Sequence, residues 1–185
     1  MFDRLGLQSS PVKVASDLSK VDGLVIPGGE STTMSLLIDT FNMHDALVEF
    51  GQTHPVMGTC AGLIMMSKHV PDSRIKPLGL LDVDVERNAY GRQIESSTEM
   101  VNYSFDGTTI LELSTTLIRA PKIFRLGENI RILGKFDDNP VAVLSGQYLG
   151  ISFHPELDGI DVFHQILFDA KSEYYFKKLN QINAA

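Results

Sequence analysis

Short runs of β-branched and aliphatic residues alternate with longer stretches whose apolar positions recur every three or four residues in the first part of the chain. "VDGLVIPGG" (21–29) is such a run, ending in Pro-Gly-Gly. It predicts a buried strand that breaks into a tight loop. In residues 30–52 the apolar positions Met34, Leu37, Ile38 and Phe41, then Ala46, Leu47 and Phe50, fit one or two amphipathic helices. Ser31 or Thr32 is the expected N-cap and Gly51 the expected stop. "PVMGTC" (55–60) predicts a second strand, and "AGLIMMSKHV" (61–70) a helix ended by Pro71. Strand, helix, strand, helix in this rhythm implies a parallel sheet with helices on its faces, an α/β fold. Residues 79–150 are richer in β-formers, with a hairpin turn expected at Asp138-Asn139 before Pro140. From Gly159 onward the pattern is that of an amphipathic helix with a basic, polar tail.

Composition narrows the function classes. A chain of 185 residues without repeats, low-complexity tracts or linkers suits one domain, residues 1–185, with a sizeable core. The net charge of −7 argues against non-specific nucleic-acid or anionic-membrane binding, which need basic footprints. No apolar run approaches the ~18 residues of a membrane span, and the N-terminus lacks a signal-peptide core. The single cysteine precludes an internal disulfide, so a reducing cytoplasm is the expectation. One cysteine and five histidines without paired spacing also make a structural metal unexpected.

That cysteine, Cys60, lies in "GTCAG", at the junction between a predicted strand and a predicted helix. Glycines two before and two after permit a sharp turn and close helix–sheet packing, the logic of a nucleophile elbow. A helix N-terminus aimed at the sulfur favours thiolate. The same pentapeptide also suits an inert, buried small cysteine. A nucleophilic thiol needs a base. "SFHPEL" (152–157) offers His154 at the end of an apolar strand, with Glu156 two residues on to fix its tautomer. Alone, this pattern favours a strand-end histidine beside a surface glutamate. Acyl transfer also needs oxyanion donors. "PGGEST" (27–32) supplies backbone N–H groups at a Gly-Gly turn ahead of a helix, and the amide of Ala61 is the natural second donor. A phosphate loop is unsupported, because no Lys-Ser/Thr follows the glycines. Donor loop, nucleophile and histidine-x-acid, in that order, form a specific set.

These segments resemble a class I glutamine amidotransferase. Together, "DGLVIPGGESTT", "GTCAGLI", "LGLLDVDVERNAYGRQ", "IRAPKI" and "SFHPEL" are similar to the glutaminase subunit family of pyridoxal 5′-phosphate synthase, from about Val21 to about Leu157. The resemblance implies a flavodoxin-like three-layer fold with a mostly parallel central sheet. It implies Cys60 as the nucleophile that attacks the side-chain amide of L-glutamine, His154 as base and acid, and Glu156 as its orienting residue. Gly28, Gly29 and Glu30 match the glutamine-contacting loop, with Gly29 and Ala61 as oxyanion donors; Arg87, Ile118 and Arg119 match further glutamine contacts. It implies no cofactor for the glutaminase itself. Its partner would be a (β/α)₈-barrel synthase subunit in a large hetero-oligomer, which takes the ammonia into pyridoxal phosphate. Arg87, Arg119 and the loop 88–93 are expected near that interface.

Relative to the family pattern, roughly 20 N-terminal residues are absent when Leu5-Gly6 is aligned with the end of the family's first helix. These would include the first strand of the sheet. Reading "LGLQ" (5–8) as that strand instead would leave no crossover to its parallel neighbour. The expectation is therefore an N-terminally truncated fold. Two functions follow: an active glutaminase, or a catalytically defective subunit that keeps the docking surface. Another glutaminase serving a different acceptor is a third, against which "VERNAYGRQ" (85–93) argues.

Overall fold

The structure is a computed structural model that describes residues 1–87 and 97–182, apart from the side chain of Ile182. Most of "VERNAYGRQ" and the loop 88–93 therefore lie outside the described residues.

The strands are β1 (Leu24–Ile26), β2 (Val56–Thr59), β3 (Ser67–His69), β4 (Leu81–Glu86), β5 (Ser97–Tyr103), β6 (Leu111–Leu117), β7 (Lys122–Leu126), β8 (Arg131–Phe136), β9 (Asn139–Ser145) and β10 (Tyr148–Ile151). The helices are α1 (Ser31–Thr40), α2 (His44–Thr53), α3 (Ala61–Met66), α4 (Val162–Phe168) and α5 (Phe176–Ile182). Seven strands form one sheet in the order β1-β2-β10-β9-β8-β5-β6, and β3-β4-β7 form a second. Pairing is parallel for β1–β2 and β2–β10, then antiparallel from β10 to β6. The parallel part is thus the end that carries "PGG", "GTC" and "SFHP". It needs crossovers, which α1 and α2 supply between β1 and β2.

Side chains of the large sheet divide between two cores, as the two-residue period of a strand requires. Leu24, Ile26 and Val56 face one core, built with Leu63, Met65 and Met66 of α3, Leu47 and Phe50 of α2, and Leu81, Val83 and Val85 of β4. Val25 and Met57 face the other, built with Phe163, Ile166 and Leu167 of α4 and Leu179 of α5. Sheet between two helical layers is the expected α/β arrangement. In the second core Phe163 sits edge-on to Tyr103, Phe105 and Phe153, with centroids 5.2, 5.6 and 5.2 Å away.

Several local boundaries differ from the sequence expectation. The N-cap of α1 is Glu30, not Ser31 or Thr32: its carboxylate folds back to accept from the backbone N–H of Thr32 at 3.2 Å and Thr33 at 2.6 Å. Helix α2 continues past Gly51 to Thr53. Gly51 serves contact instead, since a Cβ there would lie 2.7 Å from the Leu80 side chain. The helix after Cys60 stops at Met66, where the Ser67 hydroxyl donates to the Ile64 carbonyl at 2.8 Å and the chain pairs with β4. The β8–β9 turn is centred on Asp137-Asp138, both left-handed with φ of 46° and 62°, one residue before the expected pair. Beyond Gly159 there are two short helices. Asp169 and Ser172 break the pattern by accepting from Lys171 and Tyr174 N–H, side-chain bonds that compete with helix.

Candidate active site

Three loops leave the C-terminal ends of three adjacent parallel strands. Register aligns Ile26 with Gly58 and Thr59 with Ile151. The chain beyond those residues gives Gly28-Gly29, Cys60 and His154 respectively. Ligands of open α/β sheets bind at this edge.

Cys60 follows β2 directly and is partly exposed. Its N–H donates to the Ile151 carbonyl at 2.9 Å, so the parallel ladder holds it to the last residue of β10. Its φ is positive, 49° with ψ −105°, a sparsely populated conformation costing about 1–3 kcal/mol for a residue with a Cβ. The strain turns the chain sharply into α3 and leaves the side chain at the corner. Close packing below the corner needs glycine: a Cβ on Gly62 would lie 1.9 Å from the Ile26 carbonyl oxygen, and one on Gly58 would lie 2.6 Å from the Gly62 backbone. The N–H of Ala61 is at the first position of α3, where the helix offers no acceptor.

His154 is held from below by Phe153, which is fully buried against Phe163. Its Nδ1 and Glu156 Oε1 are 2.7 Å apart. That leaves Nε2 as the nitrogen for a second partner, and Cys60 is the neighbouring group that acts most strongly on the ring. The Cys60 contact is the main cause that raises the His154 pKa to about 9, with Glu156 contributing in the same direction and burial opposing both. The imidazole is therefore held as imidazolium across neutral pH, between a sulfur and a carboxylate. Gly28 packs on its other side: a Cβ at Gly28 would stand 2.2 Å from His154 Cε1. So Gly28, Cys60, His154 and Glu156 come together as the sequence order implied.

Gly29 and Glu30 continue that loop into α1. Besides the cap bonds, Glu30 accepts from the hydroxyls of Thr32 and of Thr33, the latter at 2.8 Å. These bonds, Thr32's foremost, lower its pKa to about 2. Glu30 Oε1 also accepts from Arg87 Nη2 at 3.0 Å, which joins two predicted site residues from distant parts of the chain. Ile118 and Arg119 lie on the turn between β6 and β7, where Arg119 is exposed and left-handed with φ 45°. Among the described residues no hydrogen bond or ion pair ties Arg119 to the other predicted site residues.

Two carboxylates were not singled out from the sequence. Asp158 accepts from Thr116 N–H at 2.8 Å, Thr116 Oγ1 at 2.8 Å and Ser114 Oγ at 3.2 Å. It thereby pins the loop after His154 to β6. Asp72 accepts from Arg87 Nη1 at 2.6 Å and from Arg74 at two side-chain nitrogens and its backbone N–H. Neither link to a distant element has a signal in the pattern, because Arg87 lies 15 residues from Asp72 and Thr116 lies 42 from Asp158. Among the described residues no cluster of three or more His, Cys, Asp or Glu side chains is arranged to hold a metal ion, and no helix is long and apolar enough to cross a membrane.

A thiol, an imidazolium braced by a carboxylate, and a backbone N–H at a helix start, all at one sheet edge, are components suited to acyl transfer. Comparison with known proteins places the chain. A model of the SNO glutamine amidotransferase family matches residues 2–171. Pyridoxal 5′-phosphate synthase subunit PdxT of Brevibacillus brevis is 41% identical over 175 residues, covering 94% of this chain and 90% of the relative. The protein of the same name from Francisella philomiragia is 45% identical over 157 residues, covering 85% and 82%. A crystal structure of a glutamine amidotransferase superposes with a TM-score of 0.77 at 31% identity, covering all of this chain and 90% of that one. A glutamine amidotransferase from Thermotoga maritima, at 15% identity and a TM-score of 0.52 over 97% of this chain and 75% of that one, shares the fold. On the family match and the identities to the PdxT proteins, the chain belongs to the SNO glutamine amidotransferase family.

Proposed function

We propose that this protein is a glutaminase that hydrolyses L-glutamine to glutamate and ammonia through a γ-glutamyl thioester on Cys60, and delivers the ammonia to the synthase subunit of pyridoxal 5′-phosphate synthase. The observation that carries the reading is the placement of Cys60, at a strained corner of the sheet edge, beside a His154 bound to Glu156 and packed against Gly28. The thiolate of Cys60 attacks the amide carbon, and the carbonyl electron pair moves onto oxygen. Backbone N–H groups of Gly29 and Ala61 stabilise that oxyanion. Collapse expels the amide nitrogen, which takes the proton on His154 Nε2 and leaves as ammonia. Neutral His154 then takes a proton from water, which attacks the thioester; glutamate leaves, the Cys60 sulfur is released and His154 is protonated again. Glu156 keeps the imidazole in one tautomer throughout.

The names of the PdxT relatives support the acceptor pathway. Gly28, Gly29, Glu30, Arg87, Ile118 and Arg119 serve the glutamine pocket in this reading, with Arg87 as the cation for the substrate carboxylate. The partner is a (β/α)₈-barrel synthase subunit in a cytoplasmic hetero-oligomer, and the glutaminase uses no cofactor of its own. The test is labelling with a glutamine-analogue electrophile in the presence of the synthase subunit. Covalent attachment at Cys60, protected by glutamine, is the expected result. An unlabelled Cys60 in the assembled complex would leave a docking subunit without glutaminase chemistry.

A further inference from the structure

Arg87 is the first residue beyond β4, and its side chain is only 18% exposed. Such a guanidinium needs fixed acceptors, because its five donors otherwise lose water without replacement. Two acceptors hold it, from separate parts of the chain. Glu30 takes Nη2 at 3.0 Å from the glycine loop. Asp72 takes Nη1 at 2.6 Å from the turn after β3, and its own side chain is 19% exposed. Asp72 is itself locked: Arg74 donates to it from Nε at 2.9 Å, from Nη2 at 2.7 Å and from its backbone N–H at 3.1 Å. Among the described residues this leaves three of Arg87's five donors for a further ligand. Beside it opens a cleft of about 210 Å³, lined by Val70, Pro71, Asp72, Arg74, Glu86 and Arg87.

We propose that Asp72 is a positioning residue for substrate: it fixes the Arg87 guanidinium against the glycine loop so that its remaining donors meet the α-carboxylate of glutamine. The inference rests on the glutaminase reading above and adds a residue that makes no contact with Cys60 or His154. Glu30 alone leaves Arg87 free to rotate about one bond. Two acceptors on different nitrogens fix the plane of the fork. Preorganisation of this kind lowers the cost of ordering the arginine when substrate binds. It acts equally on the bound ground state and the transition state, so its loss falls on KM and not on kcat.

The experiment measures ammonia release from L-glutamine by the chain assembled with its synthase subunit, for the parent, Asp72→Ala, Asp72→Asn and Arg74→Ala. Asp72→Ala should raise KM about tenfold, as expected for losing a hydrogen bond to a charged partner. Its kcat should hold within about twofold. Asp72→Asn keeps an oxygen acceptor and should show a smaller rise. Arg74, 71% exposed, should matter by less than about twofold in KM. As a second readout, the glutamine concentration that protects Cys60 from iodoacetamide should rise in step with KM. Unchanged KM and protection in both Asp72 variants, or a fall in kcat at constant KM, would overturn the assignment. A parent complex that releases no ammonia would instead overturn the glutaminase reading and this one with it.

Discussion

Gly28→Ala adds one methyl group at the face of the His154 imidazole. The new Cβ would stand 2.2 Å from His154 Cε1, against about 3.4 Å for ordinary contact, so ring or loop must give by about 1.2 Å. The ring is the softer element on its far side, since Glu156, its partner there, is half exposed. Displacing a reacting group by about 1 Å costs on the order of 10²-fold in rate. The expected result is therefore a fall in kcat of about a hundredfold, while the thermal midpoint changes little because the crowded group lies at the surface edge and not in either core. The assay is ammonia release in the assembled complex, paired with NMR titration of His154. If the ring has moved off Cys60, its pKa falls from about 9 toward the ordinary histidine value, because the Cys60 contact is the main cause of the rise. That titration separates a displaced ring from a distorted glycine loop. A kcat within about threefold of the parent, with His154 still titrating near 9, would refute the geometric reasoning.

Other substitutions test the remaining parts. Cys60→Ala should by itself lower the His154 pKa, and an unchanged NMR titration would show that Glu156 alone sets it. Because the folded-state pKa is raised, His154 adds stability that is full below about pH 6.5 and is lost as pH rises to about 9. Denaturant midpoints of the parent should decline over that window more than those of Cys60→Ala. The limb of kcat/KM on the alkaline side should fall near pH 9, where the proton for departing ammonia is lost. Gly62→Ala, with a Cβ 1.9 Å from a backbone oxygen, should cost about 3 kcal/mol or prevent folding; a parent-like midpoint would contradict the packing. Asp158→Ala should cost about 2 kcal/mol in chemical denaturation, and no loss would mean that its three bonds to β6 contribute nothing.

Much of the site was legible because its parts are local. A strand followed by Pro-Gly-Gly, a cysteine between glycines and a histidine-x-acid after a strand each follow from a few adjacent residues. Their convergence follows from parallel pairing, which puts the C-terminal ends of β1, β2 and β10 side by side. The parallel pattern seen in the first seventy residues applies to that end of the sheet, while the β-rich middle supplies the antiparallel strands β5, β6, β8 and β9. What the pattern missed was decided by side chains reaching across the chain. Glu30 displaced Ser31 as the cap because its longer arm reaches two N–H groups and also binds Arg87. Residues 67–69 left the expected helix to pair with β4, a partner more than ten positions away. Asp72 gained Arg87, and Asp158 gained Thr116, only on folding, from residues 15 and 42 positions away.

The central claim is that Cys60 forms a thioester with glutamine. Ammonia release from L-glutamine tests it most directly, measured on the chain alone and assembled with the synthase partner, with Cys60→Ala alongside. The account predicts release that requires the partner and vanishes in Cys60→Ala. Release that survives in Cys60→Ala, or none from the parent in the assembled complex, would contradict it.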